Sequence, residues 1–478
     1  MPSTRSPVSQ TFAALRERDF AWYFVGHTSF FLAMQMNQLL RGYLAFELTN
    51  AAVALGLIAV TMALPMLLVA PLGGVIADRY NKRTLLMAVQ LFVAAVNAVL
   101  AGLIIADLIE FWHLLAGTLG LGVSISIAMP ARQAMVPALV PQHRMMNAIS
   151  LQMGSMNLTR IVGPAAGGLL IAPLGIGVVW ASGVVLYLVA VAALIPLPRF
   201  GMVATREHAS FRTELSDGFR YVANQPLLRL LMAAGMMMPL FAFPVQMVLP
   251  VFAEEVFEQG PGALGALMAA AGIGGLIGAL IAANLERVSR KSIILLVGTV
   301  IMSISYVVFA QSTSLGLARP SAFALGLVMF GVGNVGGMLF MTTNDSTIQA
   351  LVSDELRGRV MSLLMMSFGV MPLGILPLTL AVDQFGAPAT VAVSSTLMLA
   401  SLLLFFALSS RLRHLRVEAL AHAELSPVQA AALVADGKIS REDAERLTGR
   451  RSQRAHGATT PAIPDPDPIE PVMQRGLD

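Results

Sequence analysis

A chain of 478 residues that is 56% hydrophobic and only 12% charged cannot hide its apolar surface in one water-soluble core, since soluble domains carry about 25% charged residues. Its net charge of +4 comes from basic residues scattered over many short segments, which argues against a nucleic-acid-binding face. It has no cysteine, so disulfides, thiolate nucleophiles and cysteine-ligated metals are excluded.

The charges leave long gaps. No Asp, Glu, Lys or Arg lies between Glu47 and Asp78, Arg83 and Asp107, Glu110 and Arg132, Arg229 and Glu254, or Glu258 and Glu286. The same holds between Lys291 and Arg319, Arg319 and Asp345, Arg359 and Asp383, and Asp383 and Arg411. Each gap is long enough for the roughly 20 apolar residues that cross a bilayer. Pro173, Gly175 and Gly177 divide the stretch from Arg160 to Arg199, and a first span contains His27 and Arg41. The expected spans are 20–46, 51–76, 84–106, 111–133, 146–171, 177–197, 227–252, 263–284, 292–311, 321–344, 359–382 and 388–410. The predicted fold is an all-α membrane protein of twelve transmembrane helices in two pseudo-symmetric six-helix halves.

Sidedness follows from Lys and Arg, which collect on the cytoplasmic side of short loops. With both termini inside, the inner segments hold 28 of the 31 basic residues, Arg132 and Arg144 among them. Arg319 falls outside, and only Arg41 and Arg160 lie within spans. The expected location is the bacterial inner (plasma) membrane, with the lipid bilayer as partner, the first span retained and no leader removed.

Residues 138–151, ALVPQHRMMNAISL, align with 350–363, ALVSDELRGRVMSL, so a repeat recurs 212 residues later. It divides the chain into a cytoplasmic N-terminus (1–19), a first bundle (20–198), a linker (199–226), a second bundle (227–410) and a tail (411–478). Phe211, Leu215 and Phe219 give the linker an amphipathic helix, either on the inner membrane surface or solvated as a connector. The tail is expected to form short helices around 427–435 and 441–448 before a disordered Pro-rich end.

Between spans 2 and 3 the chain runs GGVIADRYNKR, residues 73–83. Its Gly74, Asp78, Arg79 and Arg83 resemble the inner-loop signature of the major facilitator superfamily. That resemblance implies that Asp78 helps hold an inner gate. The second-half counterpart, 278–291, keeps its small residues and Arg290-Lys291 but has Ala283 in place of the Asp. Span 5 carries Gly163-Pro164-Ala165-Ala166-Gly167-Gly168, which resembles the span-5 signature of exporters and antiporters in that superfamily, although Ser150 and Thr159 stand where glycine is preferred. A small-residue packing face is the plainer reading. Together with the string from Ala138 to Gly168, these motifs resemble the branch that includes enterobactin exporters and macrolide-efflux proteins.

Arg160 lies near the middle of span 5, where a charge costs roughly 2.5–3.5 kcal/mol or more unless it meets water or a partner. It shares a helical face with Met153, Asn157, Pro164 and Gly167, and in span 1 His27, Phe31, Met34, Gln38 and Arg41 share another. Both stripes are expected to line a substrate pathway, with Gln152, Gln246, Asn334 and Asn344 as further polar candidates. The simpler alternatives are a bracing arginine, a packing histidine, and Arg41 reaching the outer interface. The methionines around Met236–Met238 and Met338–Met341 would make an adaptable apolar surface for bulky cargo.

No Asp or Glu lies at the centre of a span, no phosphate-binding loop occurs, and no catalytic constellation or metal cluster is evident. The expected function is therefore secondary transport, as a monomer without cofactor or metal: export of an amphipathic small molecule (a siderophore, drug or natural product), with the driving ion left open by the residues and H+ expected, its coupling falling to His27, Glu47 or Asp345. Uptake by the same fold is the first alternative and a membrane-embedded enzyme the second.

Overall fold

The computed structural model describes residues 12–198 and 219–409, apart from 286, 287, 289, 353–355, 357–359, 362, 365 and 367–369. These residues belong to one unit, Met1–Leu415. Most of the 199–226 linker and all of the tail, with their expected helices, lie outside the described residues, as do the surroundings of Gly74 and the side chain of Asp78.

Twelve helical segments follow one another, with no strand among the described residues. In the first half they are α1 (Arg18–Thr49), α2 (Ala52–Arg79), α3 (Lys82–Ile105), α4 (Phe111–Leu139), α5 (Met145–Leu174) and α6 (Ile176–Ala192). The second half contains α7 (Pro226–Val256), α8 (Gly260–Asn284), α9 (Lys291–Ala310), α10 (Arg319–Leu351), α11 (Met371–Phe385) and α12 (Ala387–Leu408). Eight of them, α2–α4, α7–α10 and α12, are long and apolar enough to cross a membrane. Helices α6 and α11 are shorter apolar helices, while α1 and α5 have the length but carry the polar stripes.

Local chemistry sets the helix ends, and it repeats between halves. Asn50, in the left-handed region, closes α1 by donating its N–H to the Phe46 carbonyl. Gly175 and Gly386 adopt nearly the same backbone, φ 77° and ψ 153° against φ 82° and ψ 155°, a region only glycine enters easily. Each sits directly before the last helix of its half. Lys82 and Lys291 are buried at the first positions of α3 and α9. In α7, Pro239 and Pro250 lack the N–H that an α-helix needs, and the helix passes through two π-turns, Met238–Ala242 and Phe252–Val256.

Within each half the second and fourth helices pack closely. A Cβ added at Gly73 would sit 2.2 Å from the Ser126 carbonyl oxygen, and one at Gly278 would sit 2.4 Å from that of Val335. Small residues therefore let the α2–α4 and α8–α10 backbones touch, as van der Waals packing between membrane helices favours. Between the halves, α5 packs on α8 and α2 on α11.

One expectation is corrected here. The fourth helix does not end at residue 133 with Arg132 in an inner loop. It continues to Leu139 and buries Arg132 to 3% exposure. The segment from Gln133 to His143 carries no formal charge, so nothing in it opposes the extension.

Candidate functional site

The centre of the first half is polar and contains no carboxylate. Arg132 of α4 seats its guanidinium 4.0 Å over the Phe30 ring of α1 and 5.7 Å from the Phe31 ring, a cation–π arrangement that partly replaces lost hydration. Tyr23 donates its hydroxyl to the Arg132 carbonyl at 3.2 Å. The arginine's Nε and Nη2 are buried without hydrogen-bond partners.

His27 sits beside this group, its ring centroid 4.6 Å from that of Phe31 and its Nδ1 3.4 Å from the Gln152 amide of α5. Its Nε2 is buried without a partner, so it is not a fully satisfied packing histidine. Arg41, two turns beyond Met34 on the same stripe, is buried to 6% instead of reaching the outer interface, and its Nε is also unpaired. Tyr187 of α6 lies within electrostatic reach of both arginines. Asn37, Asn97 and Trp180 bind α1, α3 and α6 together through two 3.1 Å hydrogen bonds to the Asn97 side-chain oxygen. Gln38 is exposed.

Helix α5 presents three faces. Gly163 and Gly167 approach Gln35 and Met36 of α1, while Pro164 and Gly168 meet Gly265 of α8. The exporter-like motif is thus the joint between one half's α1 and the other half's α8. Leu158, Val162 and Leu169 form an exposed apolar face. Arg160 and Asn157 lie on the opposite side, between the α1 and α8 contacts, and are exposed. That placement directs them away from the apolar face and toward the space between the halves.

In the second half, Gln246 of α7 donates to Asn334 of α10 at 3.1 Å, and Asn334 donates in turn to the Phe330 carbonyl at 2.8 Å. Asn344 is separate from this pair. It lines a pocket between α7 and α10 together with Met238, Phe243, Phe340, Met341 and Asp345. Of the gating-motif residues, Arg79 ends α2, and Arg83 donates to the Ile195 carbonyl at 2.6 Å, capping the turn after α6. Asn81 caps α3 through Thr84 N–H at 3.3 Å. The structure therefore brings His27 to Gln152 and Arg132, and Gln246 to Asn334, but keeps Arg160 and Asn344 apart from both groups.

Arg132 is the residue that charge spacing misses. A lone arginine at the edge of a charge-free gap looks like an anchoring residue until the helix is seen to run on for two further turns.

Two pseudo-symmetric helical bundles, buried intramembrane charges and membrane-length apolar helices define a multi-pass membrane transporter. The chain belongs to the transmembrane secretion effector family of the major facilitator superfamily, whose model matches residues 9–439. It is a transporter family and not a family of enzymes. The chain is 26% identical to the staphyloferrin A transporter of Staphylococcus aureus over 82% of its own length and 96% of that protein's. It is 23% identical to macrolide efflux protein A of Streptococcus pyogenes, over 74% and 86%. The crystal structure of a bacterial homologue of the human lysosomal transporter Spinster, inward-facing and unoccupied, shares the fold with a TM-score of 0.62 at 13% identity, covering 88% of this chain and all of the other.

Proposed function

We propose that the chain is a secondary active exporter of amphipathic small molecules, working by alternating access with H+ as coupling ion. In this reading it acts as a monomer in the bacterial inner membrane, with both termini in the cytoplasm. The observation that carries the reading is where the halves meet. Asp383 of α11 caps α2, Gly168 of α5 lies against Gly265 of α8, and Gly42 of α1 approaches Pro250 of α7 to 3.6 Å from a built Cβ. All three contacts belong to the end opposite the Arg79–Arg83 loop, the outer end by the basic-residue distribution. A carrier sealed at one end, with polar residues below the seal, has the geometry that rocking of one bundle against the other would invert. Outward direction is supported by the span-5 motif and by the name of the macrolide efflux relative.

Inverted membrane vesicles with an imposed pH gradient test the reading on a panel of amphipathic siderophores and drugs. Gradient-dependent accumulation inside the vesicles is expected. Movement only in right-side-out vesicles would make the protein an importer, and movement insensitive to every ion gradient would remove secondary coupling.

A further inference from the structure

Ala138 and Ala350 correspond in the repeat, so Arg132 and Asn344 occupy equivalent positions 212 residues apart, and Gln133 is matched by Asp345. The two places are filled differently. In the first half Arg132 rests its own guanidinium on the Phe30 ring of α1. In the second half Asn344 faces the bare backbone of Gly235 on α7, where even a Cβ would come within 3.0 Å of the Asn344 Nδ2. A pocket remains there, lined by Met238, Phe243, Phe340, Met341, Asn344 and Asp345.

Among the described residues, no cation is paired with the side-chain acceptors of this pocket. Asn344 is 1% exposed and leaves its Oδ1 buried without a partner, next in sequence to the Asp345 carboxylate that lines the same pocket. No ion pair to Asp345 occurs among the described residues. A carboxylate and an orphaned amide oxygen beside two phenyl side chains and two thioethers suit a positive charge carried on an apolar body. The carboxylate attracts the charge, ring faces favour it through their quadrupoles, and thioethers adapt to the bulk around it. A hard divalent metal ion takes about six oxygen ligands, far more than these side chains offer.

We propose that this pocket is the subsite for a positively charged nitrogen of the cargo, a protonated or quaternary amine on an apolar frame, seated where the first half carries its own guanidinium. The proposal rests on the transport reading above and names the substrate class for it.

The test uses purified full-length protein and two probes of the same shape, benzyltrimethylammonium and neutral neopentylbenzene, with binding followed by saturation-transfer NMR. The cation is expected to bind at least tenfold more tightly than its isostere. Asp345→Asn should weaken the cation at least tenfold while leaving the neutral probe unchanged, and Asp345→Glu should recover most of the loss. If Asp345→Asn lowers thermal stability, Gly235→Ala, which crowds Asn344 without touching the carboxylate, should also weaken the cation selectively. Equal affinity for the two probes, unchanged cation binding in both variants, or displacement of the probe by millimolar sodium would overturn the proposal.

Export is measured separately in inverted vesicles. Asp345-dependent binding without gradient-driven movement of benzyltrimethylammonium would keep the subsite and refute the export reading. Gradient-driven movement with the same rate in Asp345→Asn would do the reverse.

Discussion

Asp383, near the end of α11 in the second half, accepts hydrogen bonds from the backbone N–H groups of Ala52, at 2.6 Å, and Val53, at 2.9 Å, at the start of α2 in the first half. An N-terminal helix cap is thus supplied by the opposite bundle, so under the proposed alternating access it exists only while this end is closed. Removing a cap of this kind costs about 0.5–2 kcal/mol, so Asp383→Ala should shift the population away from the closed form roughly 5- to 30-fold if the cost lies between about 1 and 2 kcal/mol. The cysteine-free chain allows spin labels at Leu108 and Leu317, two exposed positions in loops at this end. Their distance distribution should gain a longer component. An unchanged distribution would show that the cap does not hold this end shut.

The α5–α8 joint leaves no room for a side chain at Gly168, because a Cβ there would lie 2.6 Å from the Pro261 carbonyl oxygen and 2.7 Å from Gly265 Cα. Backbone on both sides cannot yield as a flexible side chain would. Gly168→Val is expected to reduce transport at least tenfold while membrane insertion stays normal. Gly154→Val is the control, since a Cβ at Gly154 meets nothing within 4 Å. Equal transport by the two variants would contradict close α5–α8 packing during turnover.

Among the described residues Arg132 carries a buried charge with no carboxylate partner, which works against stability and is retained in membranes chiefly for function. Arg132→Leu should therefore leave the melting temperature unchanged or raise it by roughly 2–4 °C, yet abolish most transport. Arg132→Lys keeps the charge but loses the flat guanidinium stacked on Phe30, and should also be impaired. A variant that loses stability and activity in parallel would make Arg132 a packing residue.

Arg160 is proposed to contact cargo from the α5 face between the α1 and α8 contacts. Arg160→Gln and Arg160→Lys should both reach the membrane and bind cargo at least tenfold more weakly as purified proteins, because either loses the planar donor fork. Unaltered affinity combined with a lower melting temperature would assign it a bracing role instead.

Asp78 precedes the last residue of α2, and its sequence context makes it a candidate inner-gate charge. Asp78→Asn is expected to slow transport several-fold per correctly inserted molecule, while Arg79, Lys82 and Arg83 continue to anchor the loop. The same rate in both proteins would remove Asp78 from gating.

Charge spacing outlined most of the apolar helices, because the bilayer imposes a one-dimensional rule: an unpaired charge ends a span, and about 20 apolar residues fill one. The repeat at Ala138 and Ala350, the break at Gly175, and the small residues of the 163–168 motif all express local backbone chemistry, and the structure finds each at a helix boundary or a helix contact. Arg132 broke the rule. Whether a charge can enter the membrane depends on what another helix offers it, and the ring of Phe30, about 100 positions earlier, enters no count made along the chain. The pocket at Asn344 and the cap from Asp383 on Ala52 likewise arise only when helices distant in sequence pack together. Sequence by itself determined where apolar, membrane-length segments lie and how they repeat; tertiary packing decided which polar atoms among the described residues are paired, which are not, and at which end the two halves touch through Asp383–Ala52, Gly168–Gly265 and Gly42–Pro250.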